Sequence, residues 1–116
     1  MSNLNRFQFI GNLTKDADLR YTNGDKAVVN FDIAVDATYR SDDRAVENTD
    51  FFRITAWDKT AENAGKYLGK GSKVYVEGSI KNSSYEKDGI KHYKTEFTAL
   101  NIEYLVTKSP ATKQSG

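Results

Sequence analysis

Residues 50–81 read DFFRITAWDKTAENAGKYLGKGSKVYVEGSIK, and the spacing of their apolar residues changes twice. Over 50–57 the period is two. Phe52, Ile54 and Ala56 share one face, and Phe51, Arg53, Thr55 and Trp57 share the other, which predicts a strand with one buried side. From residue 58 the spacing lengthens. Ala61, Ala64, Gly65 and Leu68 form a stripe at helical spacing, so DKTAENAGKYLGKG predicts a short helix, with Asp58 as N-cap and Gly69 as the C′ stop. Over 72–81 the period returns to two, with Val74, Val76, Gly78 and Ile80 inward and Lys73, Tyr75, Glu77, Ser79 and Lys81 outward. The centre of the chain is therefore strand, short helix, strand.

The same period of two extends upstream. Over 6–13, Phe7 and Phe9 face opposite to Arg6 and Gln8; over 27–39, Val29, Phe31, Ile33 and Val35 face opposite to Asn30, Asp32, Ala34 and Asp36. A single strand as long as the second is unusual and predicts a bulge or strong coiling. Asn23-Gly24 marks a turn, and RSDDRAVENT (40–49) reads as a charged connection. Downstream, NSSYEKDGIKH forms a hairpin arm with Asp88-Gly89 at its tip, followed by a fifth strand over 91–99 with Tyr93, Thr95, Phe97 and Ala99 on one face. Three strands, a short helix and two strands close most economically as an all-β, five-stranded Greek-key barrel, the OB-fold, with the helix between strands three and four. An open sheet covered by one helix is the alternative. The reading gives one domain over 1–106 and a polar tail over 107–116 expected to be disordered.

Composition narrows the function classes. The 116 residues carry Lys+Arg 17 against Asp+Glu 16, a net charge of +1, with no cysteine and one histidine. Disulfides, thiolate metal sites and thiol catalysis are excluded by residue type, and neither a metal cluster nor a catalytic triad is expected from one imidazole. No P-loop, G-x-S-x-G or H-E-x-x-H is present, Ser83-Ser84 lacks a partner base, and Asp42-Asp43 lacks a second carboxylate pair at metal spacing. No apolar run reaches the length of a membrane span, and the first residues form no secretory signal, so a cytoplasmic location without membrane contact is expected. Neither catalysis nor a cofactor is expected.

The outward faces carry the functional signal. Strand three shows Phe51, Arg53 and Trp57; strand four shows Lys73, Tyr75 and Lys81; Tyr39 ends the long strand, and Tyr85 lies in the hairpin arm. Taken singly, each ring is more often structural, since β-rich proteins need aromatics for cross-strand pairs. Together, rings on the non-core parity beside Lys and Arg suit single-stranded nucleic acid, where bases stack on the rings and phosphates meet the cations. Charge supports this locally. From Lys66 to Lys94 there are seven Lys against three acids, whereas from Asp32 to Glu62 eight acids face four Arg or Lys. His92 alternates with Tyr93 and reads as a surface residue. Strand one reads as a sheet edge open to pairing with a second copy, with Ile10 off the core parity; the alternative is a monomer whose edge the 14–26 loop covers.

Two stretches add a family resemblance. The pattern N-x-x-x-x-I-G-N-L-x-x-D-x-x-x-R-Y, within LNRFQFIGNLTKDADLRYTNGDKAVVNFDIAV, and A-x-x-A-x-K-Y-L-x-K-G-x-x-V-Y-V-E-G occur in this order, followed by YEKDGIKHYKTEF. Over roughly residues 3–106 the chain resembles the bacterial-type single-stranded DNA-binding proteins. The resemblance implies an OB-fold subunit, assembled as a homotetramer, with a dimer as the lesser possibility. It would wrap single-stranded DNA with little sequence preference in replication, recombination and repair. It implies base stacking at Tyr39, Phe51, Trp57 and Tyr85, and phosphate contacts at Lys59, Lys70 and Lys81, with Arg40 and Arg53 beside them; Lys73 joins them from the outward face of strand four. The family often has tryptophan where this chain has Tyr39, Phe51 and Tyr85, and histidine at a subunit contact where it has Phe52. The family's acidic tip, which recruits replication and repair enzymes, has no counterpart in SPATKQSG, so such partners are expected only if a longer protein carries one. The rival readings are a dimeric primosomal-type OB protein that contacts a helicase, a protein-interaction OB module, and a metal-dependent OB nuclease.

Overall fold

The computed structural model describes residues 4–110, with Tyr39 and Arg40 described by their backbone alone. Seven elements follow in order: β1 (Phe7–Leu13), β2 (Asp18–Tyr21), β3 (Ala27–Ser41), β4 (Arg44–Trp57), α1 (Asp58–Tyr67), β5 (Lys73–Lys87) and β6 (Ile90–Val106). Strand pairing closes a ring: β1 pairs β3 and β5, β3 pairs β4, β5 pairs β6, and a short parallel contact joins β4 to β6. Five strands in this order, with the helix between the third and fourth ring strands, form the expected Greek-key OB barrel. The sixth strand, β2, hangs on the outer edge of β3 through Asp18↔Asn30 to Tyr21↔Ala27.

The alternating residues close the core. Val29, Phe31, Ile33, Ile54, Ala56, Val74 and Val76 are buried, and Ala61 and Ala64 of α1, with Leu68 at its C-cap, close one end of the barrel. Phe9 and Phe52 stack at 4.2 Å, and Phe97 meets Phe52 edge-on at 5.5 Å, a half-buried cluster of rings packed against this core. Phe52 thus has ring partners within its own chain. Gly78 belongs to this packing too. A Cβ there would overlap the Thr98 carbonyl oxygen, at the register shift between Glu77 and Gly78 where β5 bends over β6.

The strands are longer than the periodicity implies. Residues 40–49 form no loose connection: β3 and β4 run as one hairpin from Val28↔Trp57 to Ser41↔Arg44. Asp42 and Asp43, at φ 51° and 63°, make the two-residue turn. Asp accepts the left-handed region better than most residues, so Asp-Asp does here what Asn-Gly does more often. The β5–β6 hairpin turns at Asp88-Gly89 as expected, with φ 55° and 77°. At α1, Trp57 rather than Asp58 holds the N-cap position, without a side-chain cap bond, and Asp58 is the first helical residue, where its charge suits the positive end of the helix dipole. Gly69 is needed for space, since a Cβ would lie 2.5 Å from the Ser109 carbonyl oxygen. Residues 107–110 lie against this loop: the Gly69 and Ser72 backbone and hydroxyl donors reach the Lys108 carbonyl at 2.6 and 3.1 Å, and Pro110 is buried. Of the tail expected over 107–116, residues 111–116 fall outside the described residues.

Candidate nucleic-acid interface

The outward face of β4 follows directly from its alternation. Because Phe52, Ile54 and Ala56 turn inward, Phe51, Arg53, Thr55 and Trp57 form a row on the outside. Phe51 is 67% exposed and Trp57 39%, so both rings present apolar surface to water. Lys26, immediately before β3, sits 5.4 Å above the Trp57 ring centroid. That cation was not singled out in the sequence; the register partner of Trp57 is Val28, which places the neighbouring turn over the ring.

Two depressions flank the row. One, of about 420 Å³, runs between Trp57, Thr55 and Arg53 on one wall and Lys94, Thr95 and Glu96 of β6 on the other. The second, of about 380 Å³, lies beyond Arg53 and is lined by Lys15, Asp16, Asp18, Arg20 and Asp32. Arg53 stands between them. Its Nε donates to Asp32 Oδ1 at 2.9 Å and its Nη2 to Asp32 Oδ2 at 3.4 Å, across the β3–β4 register. The hydrogen bonds from Arg53 hold the Asp32 carboxyl below its ordinary pKa, with the Arg53 and Lys15 charges adding to this and burial opposing it. The same hydrogen bond raises the pKa of Arg53.

The other expected contacts fall in two groups. Lys59 is exposed in the first turn of α1, two residues beyond Trp57. Lys70 is exposed between α1 and β5, and its backbone N–H donates to Asp16 Oδ1 at 2.8 Å, tying it to the rim of the second depression. Lys73 is level with Phe51 through the partners Phe51↔Ala34, Ala34↔Asn12 and Asn12↔Lys73, about 15 Å away across three strand spacings. Lys81 and Tyr85 share one face of the β5–β6 arm with Lys94 and Glu96, their neighbours across β6, and so extend the wall of the first depression. Tyr85, 54% exposed, stacks on His92 with ring centroids 5.2 Å apart. His92 was read as an isolated surface residue, yet counting back from the Asp88-Gly89 turn pairs 85 with 92. Tyr75 is half-buried, and its hydroxyl accepts from Gln8 at 2.8 Å and donates to Glu77 at 3.0 Å. Tyr39 and Arg40 lie in the β3–β4 arm opposite Val46 and Ala45, and their side chains are outside the described residues. Among the described residues no group of three or more His, Cys, Asp or Glu gathers as metal ligands.

A closed OB barrel with an outward row of rings, flanked by two grooves of mixed charge, defines a class of nucleic-acid-binding modules. The family described as the single-strand binding protein family matches residues 4–105, and the chain belongs to it. A single-stranded DNA-binding protein of Oceanobacillus iheyensis is 42% identical over 90% of this chain and 65% of its own length. Single-stranded DNA-binding protein B of Bacillus subtilis is 39% identical over 90% of this chain and 92% of its own. The crystal structure of a deletion mutant of the Thermus aquaticus single-stranded DNA-binding protein superposes with a TM-score of 0.81 at 29% identity, covering 90% of this chain and 54% of that one. The chain thus spans about two thirds of the length of some relatives, such as the Oceanobacillus protein, and nearly all of others.

Proposed function

We propose that this protein binds single-stranded DNA with little sequence preference and without catalysis, shielding exposed strands during replication, recombination and repair in the bacterial cytoplasm. The observation that carries the reading is the row Phe51–Arg53–Trp57, whose rings stand in solvent on the outer face of β4. Bases stack on Phe51, Trp57 and Tyr85, and on Tyr39 where the strand reaches the β3–β4 arm. Phosphates run along Lys59, Lys70, Lys73 and Lys81, with Arg40 on the same path, while Arg53, expected among them, is paired with Asp32 between the two rings. Stacking is sequence-tolerant because every base has a flat face.

We propose further that the subunits assemble as a homotetramer built from dimers. Residues Phe7–Gly11 of β1 pair β5 on one side, while the β3 contact reaches only Asn12 and Leu13, leaving an edge among the described residues beside the exposed Ile10. The 14–26 segment does not cover that edge: it forms β2 and joins α1 through Ala17 N–H to the Leu68 carbonyl. The test is direct. Oligothymidine should quench the fluorescence of Trp57 at low salt and the quenching should fade as salt rises; a spectrum unmoved by oligonucleotide at low salt rejects the proposal.

A further inference from the structure

We propose that Asp32 offsets the charge of Arg53, so the centre of the stacking row binds phosphate less strongly than its cations alone would allow. This rests on the single-stranded DNA reading above. Arg53 stands between Phe51 and Trp57, where the backbone between stacked bases would pass, and its side chain is 69% exposed. Its Nε and Nη2 edge is already used, at 2.9 and 3.4 Å, by a carboxylate fixed opposite it by the strand register. A phosphate that meets the remaining Nη1 edge approaches a guanidinium whose charge Asp32 already matches, and one that takes the Nε edge must evict Asp32.

Either approach yields little. Eviction replaces one charge-assisted fork with another, and on both routes Asp32, with 25% of its side chain exposed, stands beside an incoming group of its own sign. The surroundings add no spare positive charge. Arg20 in the same depression is engaged by Asp18 at 3.1 Å, leaving Lys15 as the cation nearest to compensate. Lys59, Lys70, Lys73 and Lys81 have no ion-pair partner of this kind among the described residues. The phosphate path therefore runs over the lysines, and Arg53 serves the row as a held, planar spacer between two rings.

The experiment is a salt series of oligothymidine binding, read by Trp57 quenching, for the wild-type protein, Asp32→Asn, Arg53→Gln and the double variant. Each variant is checked by circular dichroism, and Asp32→Ser supplies the same readout should the Asn variant not fold. Releasing Arg53 adds one phosphate contact. Asp32→Asn should bind more tightly at low salt and steepen the slope of log K against log salt by about 0.7, roughly a further 2.6-fold loss between about 50 and 200 mM. Arg53→Gln should stay close to wild type, and the double variant should match Arg53→Gln. The inference is overturned if Asp32→Asn keeps the wild-type slope. It is also overturned if Asp32→Asn tightens binding equally in the Arg53→Gln background, which is simple loss of repulsion, or if Arg53→Gln alone flattens the wild-type slope. Wild-type protein that does not bind removes the DNA reading itself; wild-type binding with an unchanged Asp32→Asn removes only this inference.

Discussion

Phe51 keeps two thirds of its surface in water at a position where β4 could carry a polar residue at no cost to the core. A ring left in that state gains most from a flat apolar partner. Replacing it with Ala should cost about 1–3 kcal/mol of DNA affinity, the worth of one stacked base, or roughly 5- to 150-fold in Kd. Anisotropy of a labelled oligonucleotide measures this, and it serves Trp57→Ala equally well although that variant lacks the fluorophore. The barrel should melt as before in Phe51→Ala, because the side chain contributes to no core cluster. Asp32 carries a pH prediction. Its pKa is depressed in the folded protein, so the stability it adds is present above its unfolded value and is lost as pH falls through the lower folded value. Thermal melts between pH 7 and pH 2.5 should show a weaker acid dependence in Asp32→Asn than in wild type, by a small margin suited to an exposed pair. These residue-scale roles were unequally legible. The outward parity of Phe51, Arg53 and Trp57 can be read from alternation alone. The Asp32–Arg53 pair was hidden because it depends on register: with 40–49 taken as a connection, nothing set residue 32 opposite residue 53. Once the turn is placed at Asp42-Asp43, every β3–β4 pair follows by counting.

At the scale of elements, the two hairpins are the part of the fold that the sequence understated. Period two was plain for 27–39 and 50–57, where one face is buried, and faded over 40–49, where both faces meet water and no apolar alternation is required. The β5–β6 arm was found because Asp88-Gly89 is a strong turn signal, whereas β2 was missed because four polar-rich residues on an edge carry no pattern. The helix was legible from its stripe, but its cap was not, since Trp57 fills that position through strand geometry and makes no side-chain bond. Gly78 provides a test of the barrel's bend. Gly78→Ala forces a methyl onto the Thr98 carbonyl and should destabilise the protein by about 1–3 kcal/mol, visible as a lower midpoint in urea. Gly24→Ala, which meets nothing within 4 Å, is the matched control and should leave the midpoint within about 0.5 kcal/mol of wild type. The arms themselves lack a buried face, so their amides should exchange with solvent well before those of Val29, Ile54 or Val76, and DNA should slow the arms selectively.

For the whole molecule, the arms set the dimensions. The radius of gyration is 16.5 Å, against about 13 Å for a compact chain of this length. The projecting ribbons enlarge the surface a flexible strand can follow without enlarging the core. With a net charge of only +1, attraction to DNA depends on where the lysines lie rather than on bulk charge, so binding should fall steeply with salt while the protein shows little affinity for other polyanions. Light scattering with and without a long oligonucleotide should return the mass of four subunits, and a mass of one or two would overturn the proposed assembly. The parallel seam between β4 and β6 also has a kinetic meaning. Only Ile54↔Phe97 and Thr55↔Thr98 join these strands, and they are separated by the helix and the whole β5 ribbon. A clasp so short and so remote in the chain is reached only after both hairpins exist, so refolding should take milliseconds to seconds, and weakening Phe97 should hasten unfolding far more than it delays folding.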